Sequence, residues 1–150
     1  MNFPILSSLI LLPLIGSVFI FFNKSSEKNR TIKYVSIFIT FSNFLLSLYL
    51  WYIFDKSISD FQFIEDREWI SGLINYKVGI DGISILFVVL TAFITPLCVI
   101  SVISTIKYRL KDFLIAILIM ESLMIGVFCS LDLVVFYLFF EGGLIPMFLI

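Results

Sequence analysis

Histidine is missing from all 150 residues, which removes the imidazole that bis-histidine haem and most catalytic metal sites depend on. Cysteine is nearly as scarce: Cys98 and Cys129 both fall inside apolar runs, far from a C-x-x-C spacing. They read as small hydrophobes, neither a disulfide pair nor a metal site. A glycine-rich phosphate loop is lacking as well. The sequence therefore shows no sign of a redox centre, metal site or nucleotide site, and leaves carboxylates, backbone and packing as its working chemistry.

Charge is also thin, at 14% of residues with a net of −1, and the basic residues lie in short clusters beside apolar runs. That pattern argues against nucleic acid as a partner. What is abundant is hydrocarbon: 61% of residues are hydrophobic, 18 of them Phe. Neither a soluble nor a disordered chain has this composition. The expectation is an all-α polytopic bundle of about five spans, with the lipid bilayer as its surroundings.

The first span is Pro4 to Phe22, with Pro13 and Gly16 inside it. Pro13 should kink it, a defect tolerated where neighbouring helices re-satisfy the freed carbonyl. It lacks the basic n-region and cleavage site of a signal peptide, so it reads as a retained helix. Asn23 to Lys33 follows with Lys24, Glu27, Lys28, Arg30 and Lys33, four positive charges out of five. The second span covers about Tyr34 to Phe54 and ends in Tyr49, Trp51 and Tyr52, an interfacial aromatic belt. Asp55 to Gly79 is the long polar segment, read as an acid-rich loop.

Asp81 opens the third span, which continues to about Thr105 with Pro96 inside; an aspartate there suits a helix N-cap, the alternative being a place at the edge of an ion pathway. Thr91, Thr95 and Ser101 should bond the helix's own carbonyls. Lys107, Arg109 and Lys111 form a second basic hinge before the fourth span, Phe113 to Ser130. The connection Leu131-Asp132 is so short that spans four and five must form an antiparallel hairpin. Asp132 can cap the fifth span or stand at the edge of a pathway. With connections one and three basic, the positive-inside rule puts the N-terminus outside.

The fifth span, Leu131 to Ile150, carries Glu141 near its middle, and the fourth carries Glu121. Burying one acid at a helix centre costs about 2.5 to 3.5 kcal/mol, so an intramembrane acid is a functional candidate by default. Both glutamates lie roughly 15 Å from the intervening turn, at matching depth. If they face each other they repel, and at least one keeps its proton at neutral pH; helix rotation is left open. No Lys or Arg occurs from Phe113 to Ile150, so a compensating cation must come from elsewhere. Gly142 and Gly143 allow close helix approach, Pro146 frees the Gly142 carbonyl, and Tyr137 stands one turn before Glu141, placed to bond it.

The stretch FYLFFEGGLIPMFLI, together with GVFCSLDL and YKVGIDGISILFVVLTAFITPLCVIS, resembles the subunit M family of bacterial proton-translocating NADH:quinone oxidoreductase, subunit 4 of mitochondrial complex I. The resemblance covers essentially the whole chain. It implies the N-terminal part of an antiporter-like membrane domain, residues 1–150, in a fold that continues for some nine more helices, and hence a fragment. It also implies that Glu141 is a principal proton-pathway residue pairing with a lysine on a later helix, that Glu121 matches an often acidic position, and that Asp81 matches a D-G-[IL]-S opening. NADH, FMN, iron–sulfur clusters and quinone would then sit on partner subunits, with no cofactor on this chain. The membrane would be a bacterial or mitochondrial inner membrane, and the partners other membrane subunits, above all neighbouring antiporter-like ones. Two alternatives share the helix pattern: a subunit of a multi-subunit sodium/proton antiporter or membrane-bound hydrogenase, and a structural or assembly protein without transport.

Overall fold

The computed structural model describes residues 4–23, 30–70 and 74–150. They form helices α1 (Ile5–Phe22) and α2 (Arg30–Ile53), strands β1 (Gln62–Ile70) and β2 (Ile74–Ile80), and helices α3 (Ser84–Thr105), α4 (Leu110–Cys129) and α5 (Leu133–Leu149). Helices α1 to α4 are each long and apolar enough to cross a membrane. The apolar α5 has 17 residues, about 26 Å at 1.5 Å per residue and close to the thickness of a hydrocarbon core. The all-α bundle expected from hydropathy is therefore present, with a small sheet added. Lys24, Glu27 and Lys28 of the first basic connection lie outside the described residues, whereas Arg30 and Lys33 belong to the first turn of α2.

The acid-rich segment is not a loop throughout. Much of it is an antiparallel hairpin pairing Glu65 with Val78, Asp66 with Lys77 and Arg67 with Tyr76. Phe63 stands at φ 54°, and the register shifts between Gln62 and Glu65 and again between Glu68 and Ile70. A bulge breaks the period of two in β1, whereas β2 keeps a plain alternation, Ile74, Tyr76, Val78 and Ile80 against Asn75, Lys77 and Gly79, which the loop reading passes over. Val78 and Ile80 are fully buried. The Leu131 amide donates to the Lys77 carbonyl at 2.9 Å, and Ser130 bridges Val78. The hairpin is thus stitched to the α4–α5 turn.

It also caps α1. Pro4 precedes that helix and no side chain of α1 itself caps it, so its first amides need an outside acceptor. Glu65 supplies one: Oε1 accepts from the amides of Leu6 at 3.0 Å and Ser7 at 3.3 Å, and Oε2 accepts from the Ser7 hydroxyl. A carboxylate at a helix N-terminus also gains from the helix dipole. At the far end of α1, Lys111 donates to the carbonyls of Phe21 at 3.0 Å and Asn23 at 2.8 Å. An acid from the hairpin and a base from α4 therefore clamp the two ends of one helix.

Side-chain packing divides the bundle interior. One apolar cluster, beneath the hairpin, contains Leu6, Leu9, Leu50, Val78, Ile80, Val88 and Ile125. The other, near Lys111, contains Ile20, Ile32, Val99, Leu114 and Leu118. Between them α2 turns a polar stripe inward: Ser36, Thr40, Asn43 and Ser47, all fully buried. Their spacing of four, three and four residues keeps them on one helical face. Phe38, Phe41 and Leu45 point outward, so α2 is amphipathic with its polar side in.

Asp132 caps α5 as expected, and Asp81 holds the turn just ahead of α3, whose N-cap position is Ile83. Asp81 accepts from the amides of Ile83 at 3.2 Å and Ser84 at 2.7 Å, and from the Ser84 hydroxyl; its own amide donates to Ser84 Oγ at 3.1 Å. Asp132 accepts from Val134 at 2.8 Å and Val135 at 3.2 Å. The bonds from Ser84 hold the Asp81 carboxyl below its ordinary value of 3.8. A depressed carboxyl contributes stability that is present above that ordinary value and is lost as pH falls through the folded one. Ser84→Ala is therefore expected to raise the pH at which Asp81 protonates, toward 3.8. Carboxyl-carbon NMR on the detergent-solubilised chain measures it, and an unmoved titration counts against the Ser84 hydroxyl bond.

Candidate functional site

Glu121 is 2% exposed, at the centre of α4. Asn43 of α2 donates to it from Nδ2 to Oε1 at 2.9 Å, while Glu121 Oε2 and Asn43 Oδ1, both buried, have no protein partner. Farther along both helices the buried residues turn apolar: Leu118 and Ile125 on α4, Ile32 and Leu50 on α2. The acid thus lies between the two apolar clusters. Next to it on α4, Ser122 donates to the carbonyl of Ile10 in α1, three residues before Pro13. The carbonyl that Pro13 frees is that of Leu9, four residues back, so this bond ties α4 to α1 beside the freed group rather than satisfying it.

On its other side Glu121 lines a groove of about 480 Å³ between α3 and α4, with Thr91, Thr95, Cys98, Met120 and Met124. Thr91 and Thr95 spend their hydroxyls on the carbonyls of Phe87 and Thr91, as expected of helix threonines. Cys129 is buried and Cys98 exposed, and both are free thiols. Among the described residues, no three His, Cys, Asp or Glu side chains are grouped to hold a metal ion.

Glu141 has a different setting. It lies on an exposed side of α5 and accepts a hydrogen bond from the Tyr137 hydroxyl, one turn earlier, as the spacing predicted. The face α5 turns to α4 is instead that of Phe139 and Gly142. A Cβ on Gly126 would meet the Phe139 ring at 2.7 Å, and one on Gly142 would meet Leu123 at 3.5 Å. This register sets Glu141 opposite position 124, three residues or about 4.5 Å in depth from Glu121. The matching depth is therefore close, but the two acids do not face each other: one is turned to α2 and the other outward. Gly143 has open space beside it, with nothing within 4 Å, so the tight approach of α5 to α4 is at Gly126, not at the Gly142-Gly143 pair. Pro146 is buried and α5 continues through it.

Asn43 is the member that reading for acids overlooked. Its signal was the inward stripe at positions 36, 40, 43 and 47, visible as helical spacing of small polar residues.

No family model matches the chain. Individual relatives do. Subunit M of an NADH-quinone oxidoreductase from Rhodobacter capsulatus is 55% identical over 122 residues, 81% of this chain and 23% of the relative. Chain 4 of an NADH-ubiquinone oxidoreductase from Marchantia polymorpha is 47% identical over 146 residues, 97% of this chain and 29% of the relative. The subunit M of Rickettsia prowazekii (strain Madrid E) is 41% identical over 153 residues, 100% of this chain and 31% of the relative. The chain is homologous to the subunit M and chain 4 family. It spans between 23% and 31% of the length of these relatives. Together with four helices apolar and long enough to span, homology to the subunit M family makes this a multi-pass membrane chain.

Proposed function

We propose that the chain is the N-terminal part of a membrane subunit of respiratory NADH:quinone oxidoreductase, complex I, and that it moves protons while other subunits carry the electrons. The observation that supports this most is homology to subunit M and chain 4 proteins over 81% to 100% of this chain. In this reading Glu141 and Glu121 take and give the protons. Tyr137 orients Glu141, and the open side of α5 at Gly143, with the carbonyl of Gly142 freed by Pro146, leaves room for a hydrated path or another helix. A cation facing Glu141 would come from elsewhere in the longer protein, and the membrane would be a bacterial or mitochondrial inner membrane.

NADH, FMN, iron–sulfur clusters and quinone belong on partner subunits in this proposal, and neighbouring antiporter-like subunits are the nearest partners. Charge supports an orientation with the N-terminus outside. Asp55, Asp66, Asp81 and Asp132 lie at the hairpin end of the bundle, and Lys107, Arg109 and Lys111 at the opposite end, which the positive-inside rule makes internal.

A tagged full-length chain purified from its native membrane tests the assignment. It is expected to come out with NADH:quinone oxidoreductase activity and the flavin and iron–sulfur absorbance of partner subunits. Recovery of sodium/proton exchange, or of hydrogen-dependent activity, without NADH oxidation would move the chain to the antiporter or hydrogenase relatives instead.

A further inference from the structure

The carboxyl of Glu121 and the amide of Asn43 make one hydrogen bond and leave two oxygens over. Glu121 Oε2 and Asn43 Oδ1 are both sealed from solvent and both without a partner. With Glu121 ionised, each is purely an acceptor, and burying an unsatisfied polar group costs about 1 to 3 kcal/mol. Among the described residues, the nearby hydroxyls are already engaged. Ser36, Thr40 and Ser47 of the same stripe donate to carbonyls of α2 itself. Ser122 is spent on Ile10 and Thr95 on Thr91. Among the described residues the two ion pairs, Lys77 with Asp66 and Arg109 with Asp112, involve neither residue. Apart from Glu121, Cys98 is the titratable side chain lining the α3–α4 groove.

We infer that Glu121 rests in its protonated form, with Oε2–H donating to Asn43 Oδ1 while Asn43 Nδ2–H donates to Glu121 Oε1. One proton turns two unsatisfied acceptors into a donor and its acceptor, and closes a ring of two hydrogen bonds between α2 and α4. An amide is the side chain suited to this, because it offers a donor and an acceptor side by side. When the proton leaves, Asn43 Oδ1 is left against a negative oxygen, so the amide must turn or another donor must arrive. Asn43 is therefore a positioning residue that favours the loaded acid, at two oxygens that are both closed to solvent. Use of this proton in transport rests on the function proposed above; its residence on Glu121 does not.

Infrared spectroscopy of the assembled complex at neutral pH separates the two. Subtracting the Glu121→Gln spectrum from the unsubstituted one is expected to show a protonated-carboxyl C=O band. Asn43→Val should shift that band to the position of a carboxylic acid lacking its partner, Asn43→Gln should restore it in part, and Ser47→Ala should leave it in place. The pH profile of pumping should move in Asn43→Val and stay put in Ser47→Ala. A carboxylate band in place of the carboxyl one, as for an ionised Glu121 bridged to Asn43 by a buried water, overturns the inference. So does a carboxyl band that Asn43→Val leaves unshifted. A normal band pattern with full pumping in Glu121→Gln would instead refute the role of Glu121 in proton transfer.

Discussion

Glu141→Gln in the full-length chain is expected to lower proton pumping per NADH oxidised by roughly 100-fold, the lower end of what one positioned acid or base contributes. The substitution keeps the shape of the side chain and an oxygen able to accept from the Tyr137 hydroxyl, the contact Glu141 makes here. What it removes is the capacity to bind and release a proton. Assembly and the spectra of flavin and iron–sulfur centres on partner subunits should be preserved, because nothing on α5 that packs against α4 is altered. Sealed vesicles energised with NADH, followed with a pH-sensitive dye, make the measurement. An unchanged ratio of protons to electrons would end the proposal for Glu141.

The second large effect is one of packing. Gly126→Leu should destabilise the bundle by about 3 kcal/mol, the upper range for overpacking a close-packed interior. Even a Cβ at that position would lie 2.7 to 2.9 Å from three atoms of the Phe139 ring, and this ring is what fixes the rotation of α5 against α4. Gly142→Ala, whose Cβ would meet Leu123 at an ordinary 3.5 Å, should cost far less. Thermal unfolding in detergent compares them, and equal stabilities would mean that Gly126 does not set the α4–α5 contact. The pair of experiments also separates proton chemistry from a purely structural role. A chain that only scaffolds its neighbours would tolerate Glu141→Gln and fail with Gly126→Leu.

Much of this architecture was legible before any coordinates. Long apolar runs predict the helices, Asp81 and Asp132 mark two helix starts, and the Tyr137–Glu141 bond follows from residues one turn apart. Two things were hidden. The hairpin escaped because the bulge at Phe63 destroys the alternation of β1, which left the regular alternation of β2 without a partner strand to pair with. The rotation of α4 and α5 escaped because it depends on a glycine on one helix meeting a phenylalanine on the other, a contact that hydropathy does not encode. Equal depth could be counted from the turn, but whether Glu121 and Glu141 share a face could not.

The inward polar stripe of α2 bears on how the chain enters its membrane. Ser36, Thr40 and Ser47 are satisfied on α2's own carbonyls, but Asn43 finds its partner on α4, so α2 alone meets lipid with an unpaired amide and is a poor solute there. Insertion of α2 by the translocation machinery should therefore lag until α4 arrives with Glu121 to receive Asn43. Biogenesis would then proceed by delayed release of the early helices, with the acid in the fourth acting as the signal that they can pack together.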